Sequence, residues 1–528
     1  MVQIHLTPDC GWIADDRGGY VKGWAYTSQG LLRGAELLDC LRRAALAGNM
    51  GVVLSSLGGE FAAVVQDGTG AWLVSDRMRS YPLLYARSGD GGAWVVCGNG
   101  IDMARSMPSH RLDESMLPTF LALGHLWGAD TLYEGCRIVP PSTCVRLTRD
   151  GEEVLEYGGN CRPSFDGDAG QLFDRSAATL EDVFSHIARL AVGRTLAIPL
   201  SGGYDSRLVA CLCKAAGLER VVCYTYGKAG NPEVEVSRQV ARKLGFRWTY
   251  VECTEALWRG LLDGGTLEEY LLRAGNLNAI GHIQDLPVVL RLTADGTLPP
   301  DAVVMPGHSG DFIGGSHFKP QCTSRWMMRM MYDKYYELNV LRPASKALAM
   351  THLAAAMPDG LHDEEDCLEA WYVWCKRARQ ANFIINSVRA YEFAGLQWTL
   401  PLWDAAFVRL WESVPCTVRR GSALYEQFMF ERYFEPMGVA WRKPRCAPSP
   451  LSRLASTLLS RDQRTIMKHL AARAGIAGRR EGEYDMNIVG DLIRARYGLP
   501  DDIISRHVRL VRPGSMSAKA LLYLALIR

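Results

Sequence analysis

Six consecutive residues, Ser201-Gly202-Gly203-Tyr204-Asp205-Ser206, combine types that could do chemistry together. Serine and two glycines let backbone N–H groups approach an anion with no Cβ in the way. Ser206 offers a hydroxyl. Asp205 offers a carboxylate where a divalent cation bridging phosphates would sit. A second turn, Pro306-Gly307-His308-Ser309-Gly310-Asp311-Phe312, again places glycines around one carboxylate. Two carboxylates suit magnesium, which takes one or two from protein and the rest from phosphate and water.

The elements around these turns must position them. Leu196–Leu200 is an apolar run and Arg207–Ala216 a helix-forming one, so the first turn is predicted to join a buried strand to a helix N-terminus. That terminus adds partial positive charge behind the glycines. Arg220–Tyr226 reads as a second strand, 233–244 as a helix, Trp248–Glu252 as a third strand and Val303–Met305 as a fourth. Strands alternating with helices predict a parallel sheet, with ligands at the carboxyl ends of its strands. The end of the second strand, Tyr224–Gly227, is placed to meet a ligand through backbone groups. The Gly-Lys-[Ser/Thr] ending of a Walker loop is absent, so the turn lacks the lysine of γ-phosphate chemistry.

The first 160 residues read as β-rich. Gly51–Leu54, Glu60–Val65, Ala71–Ser75 and Ala93–Cys97 are expected strands, and residues 35–48 carry a helical pattern. Residues 150–170 are turn-rich and read as a linker, followed by an amphipathic helix over 171–192. The expected domains are therefore 1–155 and 171–528.

In these motifs the chain resembles the asparagine synthetases. The Ser-Gly-Gly-x-Asp-Ser string looks like the pyrophosphate-binding loop of the ATP pyrophosphatases, which cleave ATP between the α and β phosphates and adenylylate an oxygen. Gly58–Ala63 and Asp76–Ala86 resemble the family's amidotransferase domain, as do Thr131–Gly135 and Val139–Ser142. The resemblance implies an α/β chain. Its N-terminal part would be an α+β layered, Ntn-like domain lacking its nucleophile. Its C-terminal part would be a parallel-sheet, adenine nucleotide α-hydrolase-like synthetase domain with added helices.

It also implies ATP and Mg2+ as cofactors. Leu200, Ser201, Gly202, Gly203, Asp205, Ser206, Tyr226, Gly227 and Gly307 would bind the nucleotide, and Asp205 and Asp311 the metal. Val439–Pro444 resembles the family's stretch whose lysine stabilises departing pyrophosphate, which makes Arg442, Lys443 and Arg445 candidates. His308 stands where the family has a glutamate, and a histidine can take a proton near neutral pH, so it is a candidate catalytic base. Asn386, Arg389 and Glu392 recur at three-residue spacing and could share one helical face, either a substrate wall or a solvated one.

Departures from the family shape the functional expectation. Residue 2 is Val where the glutaminase cysteine would stand, Cys10 lacks the family's context, and the glutamine-holding segments are missing or reduced to Trp24–Ser28. A retained scaffold without glutamine hydrolysis is expected. The expected reaction is amide formation through an acyl-adenylate, with ammonia that is free or drawn from a separate glutaminase. The expected acid is a small-molecule or sugar carboxylate, a uronic acid of surface polysaccharide foremost. Aspartate, or a peptide closed onto itself as in lasso-peptide cyclases, are the alternatives.

A tRNA-modifying enzyme of the same loop superfamily would need catalytic cysteines and a basic face. The net charge of +2 supports no nucleic-acid partner. A non-catalytic nucleotide-binding remnant sits poorly with two intact carboxylates. Fifteen scattered cysteines without a Cys-x-x-Cys pair read as reduced thiols, and no signal peptide or membrane span is evident, so a cytoplasmic location is expected.

Overall fold

The computed structural model describes residues 2–442 apart from 90–91, 108, 159–162, 319–322 and 337. Beyond them it describes 459, 462–464, 466–467, 486–498, 500–512 and 514–528.

The N-terminal part packs two sheets against each other. Tyr20–Thr27, Gly58–Gln66, Gly70–Ser75, Thr143–Thr148 and Glu152–Glu156 form most of a seven-stranded sheet paired antiparallel throughout. Val2–His5, Trp94–Cys97, Leu84–Arg87 and Cys136–Ile138 form a four-stranded one. Gly51–Leu54 is not a strand but lies in a helix, Met50–Ser56. Its buried residues Met50 and Leu54 are four apart, the spacing of one helical face, which a four-residue apolar run cannot reveal. Glu152–Glu156 pairs fully with Thr143–Thr148, so the first part's sheet extends into the turn-rich stretch.

The second part opens with α1, Ala169–Leu190, started by a capping box between Asp168 and Gln171. Then come β1 (Leu196–Pro199), α2 (Tyr204–Ala215), β2 (Val221–Gly227), α3 (Pro232–Leu244) and β3 (Arg247–Glu252). After α4 (Leu286–Ala294), β4 is Val303–Val304 and β5 is Gln397–Trp398. The sheet is wholly parallel in the order β3-β2-β1-β4-β5. The inner strands β1, β2 and β4 are largely buried apolar runs, as in a parallel sheet covered on both faces, while the edge strand β3 is only half-buried. The order reverses between β1 and β4, so the loops leaving those strands diverge and open a crevice at their carboxyl ends.

The two parts share one continuous core, and polar groups tie them at the edge of this sheet. Buried Glu60 accepts hydrogen bonds from the Leu400 backbone N–H (2.8 Å) and the Thr399 hydroxyl (3.0 Å), just past β5. Arg389 donates to the Ser80 carbonyl and to Glu392 (2.7 Å), and Lys22 lies 3.5 Å from Glu392. The polar residues Arg389 and Glu392 are thus neither a substrate wall nor a solvated face; they form the seam with the N-terminal part. Asn386 donates to the Ala274 carbonyl at 2.9 Å. The segment is also not one regular α-helix. It passes from a π-helical stretch, Cys375–Ile384, through a 3-10 turn to Arg389–Phe393.

In the tail, Val508–Val511 pairs with Asn339–Leu341, and the buried helix Ser515–Leu526 closes against the core.

Candidate functional site

The turn after β1 is shaped by its own serines. Ser206 Oγ accepts from the Ser201 N–H (3.2 Å) and lies 3.1 Å from Ser201 Oγ, which accepts from the Gly203 N–H (3.1 Å). Gly203 is the N-cap of α2 and supplies no side-chain cap. The first turn of α2, Tyr204, Asp205 and Ser206, lines a cleft at the helix N-terminus, where a helix favours an anion. Asp205 sits in that first turn.

The turn after β4 lands directly on it. The Asp311 N–H donates to Asp205 Oδ2 at 3.0 Å. Gly307 makes this approach feasible, because a Cβ there would lie 2.5 Å from the Asp205 carbonyl carbon and 2.7 Å from Ser206 Cα. A Cβ on Gly310 would lie 2.8 Å from Asp205 Oδ1. Two segments a hundred residues apart thus bring two carboxylate-bearing residues side by side. Ser316 donates to Asp311 Oδ2 (2.7 Å), which fixes its orientation, while the Asp311 side chain stays exposed.

Both turns line one cleft of about 350 Å³. Leu200, Ser201, Gly203, Asp205, Ser206, Tyr226, Gly307, His308 and Asp311 are all on its wall, with Tyr425 and Glu426 of α5 (Ala423–Met429). Gly202 and Gly227 flank it without lining it. Gly202 backs onto Glu233, and Gly227 ends β2 with φ 140°. β2 outruns its neighbour: β1 pairs only as far as Pro199↔Tyr224, whereas β3 pairs as far as Gly227↔Glu252. Leu200 N–H donates to Tyr224 O (2.8 Å), so by strand alternation the Tyr226 backbone N–H and C=O face the gap above β1.

His308 is held differently from its expected role. Its Nε2 lies 2.7 Å from Ser387 Oγ, and burial pushes its pKa down to about 4. The ring is therefore neutral near pH 7, a weak base rather than one poised there. Phe312, which follows Asp311, turns inward and stacks on Tyr372 at 4.8 Å. Lys443 lies outside the described residues. Arg442 is exposed and stacks its guanidinium over the Phe430 ring at 4.2 Å; it does not line the cleft.

Two groups escaped the sequence reading. Arg207, 1% exposed, donates to the carbonyls of Val439 (2.9 Å), Trp441 (2.7 Å) and Gly202 (3.2 Å). It pins the segment leading to Arg442 against the phosphate turn. Its signal was an arginine in an otherwise apolar stretch of helix. The second is Asp285, whose carboxylate accepts from the hydroxyls of Tyr226 and Tyr391 at the cleft wall. Nothing local in its sequence marks it.

Among the described residues no group of three or more His, Cys, Asp or Glu side chains is arranged to hold a metal. A cation here would rest on Asp205, Asp311, phosphate and water, a donor set that fits magnesium. No described helix is long and apolar enough to cross a membrane.

The family model for asparagine synthase matches residues 183–271, from α1 through both walls of the β1 turn to beyond β3. That segment is asparagine synthase-like. The match supports an ATP-dependent amide-forming ligase. No curated protein matches the chain. Among solved structures it is similar to NMN synthetase from Francisella tularensis, at 13% identity over 43% of this chain and 97% of that one, with a TM-score of 0.21. It is also similar to glutamine phosphoribosylpyrophosphate amidotransferase from B. subtilis, at 11% identity over 56% and 63% of the two chains (TM-score 0.19). An allosteric regulatory enzyme of purine biosynthesis matches at 14% identity over 57% and 58% (TM-score 0.19). These likenesses are too distant to bear on substrate or mechanism.

Proposed function

We propose that the chain amidates a carboxylic acid, a uronic acid of surface polysaccharide in the first place, using ATP and ammonia that its own N-terminal part does not generate. The observation that carries the reading is the pairing of Asp205 and Asp311 beside the uncapped start of α2. A carboxylate oxygen is a poor leaving group. Transfer of AMP to that oxygen breaks the bond between the α and β phosphates and releases pyrophosphate. Nitrogen then attacks the acyl carbon, loses a proton, and AMP departs. The chain's contribution is to orient the acid against the α-phosphorus and to clamp the departing phosphates.

The first-turn N–H groups of α2 face the phosphates, and the Tyr226 backbone faces adenine. Asp205 and Asp311 are the residues that would hold magnesium, which when bound neutralises phosphate charge. Arg207 fixes the segment that leads to Arg442 and Lys443, the candidates for stabilising pyrophosphate. Of the tyrosines on the cleft wall, Tyr204 and Tyr226 are half-buried, and their rings suit the face of a sugar. A cytoplasmic location agrees with this role.

The test is pyrophosphate release from ATP with Mg2+, ammonium and a panel of uronic acids, with aspartate alongside. A product one mass unit lighter than one uronic acid supports the reading. Turnover of aspartate alone, or pyrophosphate release only with glutamine, overturns it.

A further inference from the structure

The cleft is lined by four acids, Asp205, Asp285, Asp311 and Glu426, and by no lysine or arginine among the described residues. Asp205 and Asp311 are accounted for by phosphate and a divalent cation. Asp285 is not. It precedes α4, is 9% exposed, and has each oxygen engaged by one tyrosine hydroxyl, Tyr226 on Oδ1 and Tyr391 on Oδ2. Those hydrogen bonds orient the carboxylate and help keep it ionised. Each oxygen retains a lone pair, since an ionised carboxylate has about four acceptor sites. Burial raises its pKa to about 6 and the Tyr391 hydroxyl lowers it; among the described residues no basic side chain takes part. Asp285 is therefore a buried carboxylate on the cleft wall whose charge no basic side chain among the described residues compensates. Burying such a charge is unfavourable unless something pairs it.

The cleft supplies the place for a partner. Asp285, Tyr226 and Tyr391 all lie on its wall, and the two tyrosines meet the carboxylate through their hydroxyls. A divalent metal would ask for more oxygen ligands than one carboxylate offers.

We infer that Asp285, held by Tyr226 and Tyr391, is the subsite for a primary ammonium group, either NH4+ itself or the –NH3+ of a small amine. An N–H donor matches the remaining carboxylate lone pairs, and its charge compensates the buried acid. The inference rests on the reading that nitrogen enters amide formation in this cleft, and it makes that nitrogen source free in solution.

The experiment uses the full chain with Mg2+ and α,β-methylene-ATP, which cannot be cleaved at the reacting bond. Intrinsic fluorescence and the thermal midpoint are followed while NH4Cl, methylammonium chloride, KCl or tetramethylammonium chloride is titrated at constant ionic strength. The wild type is expected to show a saturable response to NH4+ that K+ and tetramethylammonium do not reproduce. Asp285→Asn weakens it about tenfold or more, the size of a lost charge-assisted hydrogen bond. Tyr391→Phe, a second variant should the first fail to fold, weakens it severalfold. A response to methylammonium as well assigns the subsite to substituted amines; a response to NH4+ alone assigns it to free ammonium. Equal responses to K+ and NH4+, no saturable response, or an unchanged response in both variants overturns the inference. Binding of α,β-methylene-ATP itself is measured separately. If that fails, the nucleotide reading fails and not this one alone.

Discussion

Glu60→Gln isolates the seam between the two parts of the chain. Glu60 is buried, and burial raises its pKa from 4.5 to about 8, although the Leu400 N–H and the Thr399 hydroxyl pull the other way. Because the folded-state pKa lies above the unfolded one, the folded protein binds more protons between those values. Stability is therefore fully favoured below about pH 4.5 and is lost as pH rises toward 8. Each pH unit is worth about 1.4 kcal/mol, so going from pH 6 to pH 8, where ionisation of the folded state is half complete, costs the wild type about 2 kcal/mol. Glutamine has the shape of the protonated acid. Its oxygen still accepts from Leu400, its amide donates to Thr399, and it does not titrate. Urea unfolding of both proteins at pH 6 and pH 8 gives four stabilities. The difference of differences cancels every other titrating group and is expected to be about 2 kcal/mol, with Glu60→Gln the less pH-sensitive. Identical pH dependence in both proteins would refute the idea that this carboxyl is held protonated at the seam.

Three further outcomes follow from the site. Arg207→Met removes the donor from three carbonyls, two of them in buried contacts, and should destabilise the fold by about 3 kcal/mol and weaken ATP binding, measured by urea unfolding and calorimetry; wild-type values for both would remove Arg207 from the account. Gly307→Ala drives a methyl into the backbone of Asp205 and Ser206, so pyrophosphate release should fall by about a hundredfold while the N-terminal part stays folded; near-normal turnover would mean the two turns need not touch. His308, neutral down to about pH 4, should leave no inflection between pH 5.5 and 7.5 in kcat/KM. An inflection there that His308→Asn abolishes would restore it as a titrating base.

What the sequence disclosed tracks what is local. The β1 turn, α2, β2, α3 and β3 were legible because apolar runs, a glycine turn and helix periodicity each point to one element. The convergence of Asp205 with Asp311 was legible only through the resemblance and the strand-end rule, since nothing in either segment specifies its neighbour. Arg389 and Glu392 illustrate the limit. Their spacing shows that they could share a face, but what that face meets, Ser80 and Lys22, lies some 300 residues earlier in the chain. His308 shows a second limit: residue type suggests a base, while burial, a tertiary property, decides the protonation state. Asp285 was invisible because its meaning comes from two tyrosines on other elements.

The most direct test of the shared metal site is calorimetry of ATP binding with and without Mg2+, on Asp205→Asn, Asp311→Asn and the double variant. If the two carboxylates hold one ion, each single change should abolish most of the Mg2+-dependent gain in affinity, and the double change should add little more. Additive losses, or a Mg2+ effect that survives in the double variant, would contradict the account.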